Sequence, residues 1–212
     1  MFIMNGIGSL FEFAGGIGMF LYGMNRMADG MQKSAGGKMK SLLGYLTRNR
    51  FLAILVGALI TAIIQSSGAT TVMVVGFVNA GLMTLVQAVG VIMGANIGTT
   101  ITAWLVSIGE WGSFFQPDIL ASLFIGIGAL LFYGKNQRKQ VIGSILIGFG
   151  ILFFGIEIMN AAIIPYRTYP FFVDGFALIA QNPILGIIIG ILITALIQSS
   201  AASLGILQIL AM

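Results

Sequence analysis

The chain has 212 residues, 58% of them hydrophobic and 8% charged, with a mean hydropathy of +1.04. That charge is too sparse to cover the surface of a water-soluble domain, so lipid is the main solvent. Cysteine and histidine are absent, which excludes a disulfide framework, a thiolate metal site and the commonest acid-base catalyst. The net charge of +4 is unevenly placed, and in a membrane protein that placement says more than the total and calls for no nucleic-acid partner.

In chain order, residues 7–25 form the first predicted span, close to the roughly 20 residues a helix needs to cross a bilayer. Glu12 interrupts it, and basic residues follow it without preceding it, so it reads as a retained span and not a cleaved leader. Residues 26–50 are a basic connection, too polar to span and suited to an amphipathic surface helix. Residues 51–80 are apolar but interrupted by Gln65, Ser66, Ser67, Gly68, Thr70 and Thr71. The broken span 82–108 carries its own interruption, where Gly94 and Gly98 flank Asn96 and Thr99 and Thr100 follow; this suits an unwound turn lending carbonyl and amide oxygens. Residues 119–133 and 141–164 read as plain spans, 165–182 as an outer loop, and 183–212 as an apolar segment broken at Gln198, Ser199 and Ser200.

Nine of the ten basic residues lie in 26–50 and 134–140, and Arg167 is the exception. The positive-inside rule places both connections in the cytoplasm, and leaves 107–118 and 165–182, with Trp111, Tyr166 and Tyr169, at the outer face of a cell membrane. Both ends of 51–80 are then cytoplasmic. Each arm of about 15 residues makes roughly 22 Å of helix, short of a bilayer core of about 30 Å. The expectation is a re-entrant hairpin with its tip, residues 65–68, near mid-membrane, a depth where irregular backbone must be buried in protein or line a cavity.

The sequence also repeats itself. Residues 49–71 and 182–204 align without gaps at an offset of 133, with 13 identities in 23 positions. The shared core Leu-Ile-Thr-Ala-x-Ile-Gln-Ser-Ser occupies 59–67 and 192–200. Gly16, Gly18, Gly23 and Met27 match Gly148, Gly150, Gly155 and Met159 at an offset of 132. Three spans separate the two starts, an odd number that inverts the second unit, as in many secondary transporters. The expected fold is an all-α polytopic membrane protein of inverted repeats, each with a transmembrane helix and a re-entrant Gln-Ser-Ser hairpin: 1–108 the first, 109–140 a linking span and loops, and 141–212 the second, incomplete one.

Chemically, the two triplets offer neutral donors and acceptors. After each break a new half-helix is expected to start near Ala69 and Ala202, its free N–H groups carrying the positive dipole end. Two such ends meeting at mid-membrane make an anion site without Lys or Arg. Freed carbonyls and hydroxyls suit Na⁺, a hard cation. No charged residue lies in 51–108 or in 183–212, so a multivalent anion has to bring compensating charge with it, which co-bound Na⁺ supplies. Glu12 and Glu157 are the acidic candidates for proton coupling within the spans. No nucleotide-binding fingerprint, nucleophile-base pair or metal cluster points to an enzyme or a cofactor.

Paired Gln-Ser-Ser segments together with Met-Gly-Ala-Asn-Ile-Gly-Thr-Thr at 93–100 resemble the type II sodium-phosphate cotransporter family over nearly the whole chain. The resemblance implies sodium-driven symport of inorganic phosphate by alternating access, with Na⁺ as coupling ion and membrane lipid as surroundings. It implies that Gln65, Ser66, Ser67, Gln198, Ser199 and Ser200 line the substrate and sodium sites, with Thr70, Thr71, Asn96, Thr99 and Thr100 beside them. Gln65, Ser66, Thr99, Gln198 and Ser199 are the candidate Na⁺ ligands. Another oxyanion or a carboxylate is the alternative substrate. The counterpart of 94–100 would fall near 227–233, beyond Met212, so the expectation includes a missing C-terminal part, an accessory subunit inactive alone, or completion by a partner chain in a homo-oligomer.

Overall fold

The fold is seen in a computed structural model that describes residues 2–35, 49–108 and 117–211. Every regular element among them is helical: α1 (Phe2–Ala35), α2 (Arg50–Ile64), α3 (Ser67–Asn79), α4 (Leu85–Ile108), α5 (Pro117–Phe132), α6 (Gln137–Ile163), a 3₁₀ turn at Ile164–Tyr166, α7 (Pro170–Gln181), α8 (Pro183–Ile197) and α9 (Ser200–Ala211). Ile7–Ser34, Leu85–Leu105 and Gln137–Tyr166 are long and apolar enough to cross a membrane. Large apolar side chains point outward along many helices, Phe51 at 81% and Leu196 at 84% exposure. Water would penalise that surface, whereas hydrocarbon accepts it.

Local chemistry explains several boundaries. The side chains of Asn49, Asn136 and Asn182 accept from Phe51 N, Arg138 N and Leu185 N at the starts of α2, α6 and α8, filling donors that have no intrahelical partner. Proline opens α7 and α8, where its missing N–H costs nothing.

Three expectations need correction. Residues 26–35 continue α1 instead of forming a separate surface helix, because Met27, Ala28 and Gly30 are buried and tertiary packing carries the helix onward; residues 36–48 of that connection lie outside the described residues. The loop expected at 165–182 contains α7, which meets α8 at a 111° bend. The unwound turn expected at 94–100 is absent, since α4 runs uninterrupted from Leu85 to Ile108. Its glycines serve close packing: a methyl group on Gly94 would collide with the Ile54 carbonyl, and one on Gly98 with the Ala58 carbonyl. Most of the connection expected at 107–118 falls outside the described residues.

Two apolar clusters organise the packing. One joins α1, α5, α6 and α9 around Phe20, Leu152, Phe153, Met159, Ala202 and Ile209. The other joins α2, α3 and α4 around Ala53, Ile60, Val74, Ala88 and Val91. In the first, α1 and α6 run antiparallel and exchange equivalent partners. Gly16 abuts Gly155 and Met159, while Gly148 abuts Gly23 and Met27. In the second, Gly90 faces Arg50 and Ala53, Gly94 faces Ile54 and Ala58, and Gly98 faces Ala58 and Thr61. Contacts that advance together along both chains mean α2 and α4 run in the same direction.

Candidate functional site

The chain leaves the helix at both polar triplets, and it does so with the same backbone. Gln65 ends α2 at φ 57°, ψ 25°, and Gln198 ends α8 at φ 57°, ψ 21°. Among the described residues these are the two non-glycine residues with positive φ, a conformation that costs roughly 1–3 kcal/mol. Each glutamine N–H donates over 2.7 Å, to the Thr61 and Thr194 carbonyls respectively. The following serine then caps the next helix. Ser66 Oγ accepts from Ala69 N and Ser199 Oγ accepts from Ala202 N, both at 3.2 Å. A third shared bond brings Thr70 Oγ1 to the Ser66 carbonyl at 3.1 Å and Ser203 Oγ to the Ser199 carbonyl at 2.9 Å.

Ser67 and Ser200 are the first residues of α3 and α9, so each triplet ends where helix N–H groups lack intrahelical acceptors. These amides carry the positive end of the helix dipole and suit an anion. The carbonyls ending α2 and α8 face the opposite way electrically and suit a cation. Each break therefore supplies both polarities within a few residues, from neutral groups alone.

Around this shared backbone the surroundings differ. Gln65 is half-buried and clamped: its Nε2 donates to the Ala62 carbonyl at 2.6 Å, and its Oε1 accepts from Thr102 Oγ1 of α4 at 2.7 Å. Gln32 of α1 donates to the Ile64 carbonyl at 3.1 Å, so two side-chain amides hold the carbonyl end of α2. Thr61 and Thr70 are fully buried and hydrogen-bonded to each other at 2.9 Å across the break. Gln198 is exposed, and among the described residues its side chain has no hydrogen-bond partner.

The other candidates lie on α3 and α4, and three of them bond within their own helix. Thr71 Oγ1 donates to the Ser67 carbonyl at 2.8 Å, Thr99 Oγ1 to Ala95 at 3.1 Å and Thr100 Oγ1 to Ile97 at 2.7 Å. Asn96 and Thr100 are exposed on α4. Thus Gln65, Ser66, Ser67, Thr70 and Thr71 form one group that reaches α4 at Thr102, and Gln198, Ser199 and Ser200 form another. The link between α4 and the second group is Gln208 of α9, whose Nε2 donates to Ser107 Oγ at 3.0 Å and to the Ala103 carbonyl at 3.3 Å.

Gln32, Thr102 and Gln208 are polar residues that motif reading passes over. Gln208 had a visible signal, being a lone amide in an apolar run. Thr102 and Gln32 had none, since one hydroxyl or one amide beside a basic stretch reads as ordinary helix contact. Among the described residues no group of three or more His, Cys, Asp or Glu could hold a metal ion.

The sequence profile of the Na+/Pi-cotransporter family matches residues 19–161. The uncharacterized protein YqeW of Bacillus subtilis (strain 168) is 32% identical over 201 residues, covering 94% of this chain and 62% of that relative. The putative inorganic phosphate export protein YjbB of Escherichia coli (strain K12) is 31% identical over 153 residues, 72% of this chain and 27% of the relative. Human sodium-dependent phosphate transport protein 2B is 42% identical over 64 residues, 30% of this chain and 9% of the relative. No solved structure matches the chain. It therefore spans less than two thirds of the length of these relatives.

Proposed function

The chain belongs to the Na+/Pi-cotransporter family, and on that premise we propose that it moves inorganic phosphate across the cell membrane in symport with Na⁺. The observation that carries the proposal is the pair of equal breaks: one left-handed glutamine followed by one capping serine, at Gln65-Ser66 and again at Gln198-Ser199. In this reading the amides opening α3 and α9 receive the phosphate oxygens. Carbonyls and side-chain oxygens at the ends of α2 and α8 receive Na⁺, with Gln65, Ser66, Thr99, Gln198 and Ser199 as candidate ligands. Ser67, Ser200, Thr70, Thr71, Asn96 and Thr100 line the path beside them. Because residues 51–108 and 183–212 contain no Asp, Glu, Lys or Arg, phosphate charge is compensated by the co-bound cation, and that requirement couples the two fluxes.

Two features support an inverted arrangement that moves by alternating access. Equivalent residues of the two units exchange partners across α1 and α6, Gly16 with Met159 and Met27 with Gly148, as a two-fold relation requires. The parallel course of α2 and α4, joined by α3 in between, supports reading 51–80 as a re-entrant hairpin with cytoplasmic ends beside the basic connections 26–50 and 134–140. A second reading, phosphate export, is favoured by the name of the Escherichia coli relative.

Tracer phosphate flux in proteoliposomes tests both. Uptake under an inward Na⁺ gradient, absent under an equal K⁺ gradient and competed away by phosphate but not by carboxylates, is the expected result. Uptake indifferent to Na⁺ contradicts the coupling, and efflux from phosphate-loaded vesicles without Na⁺ favours export.

A further inference from the structure

Away from both breaks, α2 and α4 leave a cavity of about 500 Å³ along their outer seam. Phe51 and Ile54 form one wall, Val86, Val89 and Met93 the other. Its floor is Gly90, where a side chain is missing because α4 approaches Ala53 and the Arg50 carbonyl closely. The walls are apolar and face outward; Phe51 is the most exposed residue among them. One end differs, since Arg50, the first residue of α2, lines it.

Two further facts define that end. Arg50 is the last charged residue before Glu110, so it marks the boundary between an apolar run and a basic segment. Among the described residues no carboxylate pairs with it, and in the first turn of α2 Asn49 takes up Phe51 N through its side chain and Ala53 N through its carbonyl, leaving the Arg50 and Leu52 N–H groups. A cationic head beside a positive helix end, continued by an apolar channel within the usual range for small ligands of about 300–1,000 Å³, matches an amphiphile with one anionic group.

We infer that this seam is a binding site for one anionic phospholipid, its phosphate held by the Arg50 guanidinium and the open amides of α2, and an acyl chain laid between Phe51 and Ile54 on one side and Val86, Val89 and Met93 on the other. The basic segment preceding Arg50 biases that end of the bundle towards anionic headgroups. The lipid staples α2 to α4, and so steadies the first break from its far end without touching it.

Native mass spectrometry of the delipidated protein, offered equal amounts of phosphatidylglycerol and phosphatidylcholine, tests the site. The expected result is one retained phosphatidylglycerol per chain, preferred about fivefold or more, as one arginine at an anionic surface supplies. Arg50→Gln should erase the preference. Val89→Trp, which fills the channel from an exposed position, should lower retention of both lipids while circular dichroism shows unchanged helicity. Millimolar inorganic phosphate should leave the lipid bound. Equal retention of the two lipids by the native chain, or a preference surviving Arg50→Gln, overturns the proposal. Displacement by inorganic phosphate also overturns it, by placing Arg50 on the substrate path, as does a lipid-free dimer in which a second copy fills the seam.

Discussion

The two Gln-Ser-Ser breaks share their backbone but not their surroundings. On α2, Ala53, Val56, Gly57, Ile60, Thr61 and Ile64 are buried, largely by α4. On α8 the positions 133 residues later, Gly186, Ile189, Gly190, Ile193, Thr194 and Ile197, are only half-buried, and the helix has no buried residue. Gly57 abuts the Val91 carbonyl, whereas Gly190 has nothing within 4 Å of an added methyl group. The break nevertheless forms alike in both places. Its geometry is therefore written locally, by a glutamine that leaves the helix and a serine that caps the next, while the clamp from Thr102 and Gln32 is an addition peculiar to the first unit.

That contrast sets an order of expected effects. Gly57→Ala should be the most damaging, at about 3 kcal/mol, since its methyl group must push α4 away; Gly190→Ala should be neutral or gain up to about 1 kcal/mol from helix propensity. Apparent melting temperatures in detergent compare the two, and similar losses at both sites would break the contrast. Gln65→Ala should cost about 2 kcal/mol, because it strands the buried Thr102 hydroxyl, while Gln198→Ala should cost less than about 0.5 kcal/mol. Both should abolish sodium-dependent phosphate flux, which would separate the stability role of one glutamine from the transport role proposed for both. Thr102→Val removes only the clamp and should cost about 1 kcal/mol, with the second unit undisturbed. Of similar size and most telling are the caps: Ser66→Ala and Ser199→Ala should each cost about 1 kcal/mol, by nearly equal amounts. A large inequality would show that packing, and not the local motif, holds one of the breaks.

The breaks themselves are legible in the sequence, and the difference in their surroundings is not. Three consecutive polar residues inside an apolar run announce a break, because helix contacts rarely absorb so many hydroxyls and amides at once, and both breaks fall at those triplets. The helical class follows from apolar runs of spanning length. Asn96 between two glycines was less legible: the same letters describe an unwound turn or a tightly packed helix, and only the position of Ile54 and Ala58 against Gly94 and Gly98 decides for the helix. The length of α1 depended on Met27, Ala28 and Gly30 finding α6, a tertiary fact that local polarity hides. Thr102 and Gln32 act on the first break from 37 and 32 residues away, and nothing in their own neighbourhoods marks them. The repeat itself was misleading at one point, since it suggests equal surroundings for Gln65 and Gln198 where the structure shows a clamp on one and an open side chain on the other.

The most direct test of the central claim, that the two breaks together bind phosphate and sodium, is equilibrium binding of labelled phosphate to the purified chain in Na⁺ and in K⁺, with Gln198→Ala alongside. The account predicts binding in Na⁺ alone, lost in Gln198→Ala while the melting temperature stays unchanged, because that glutamine contributes oxygen to the site and little to the fold. Binding that is equal in K⁺, or that survives Gln198→Ala intact, would contradict it.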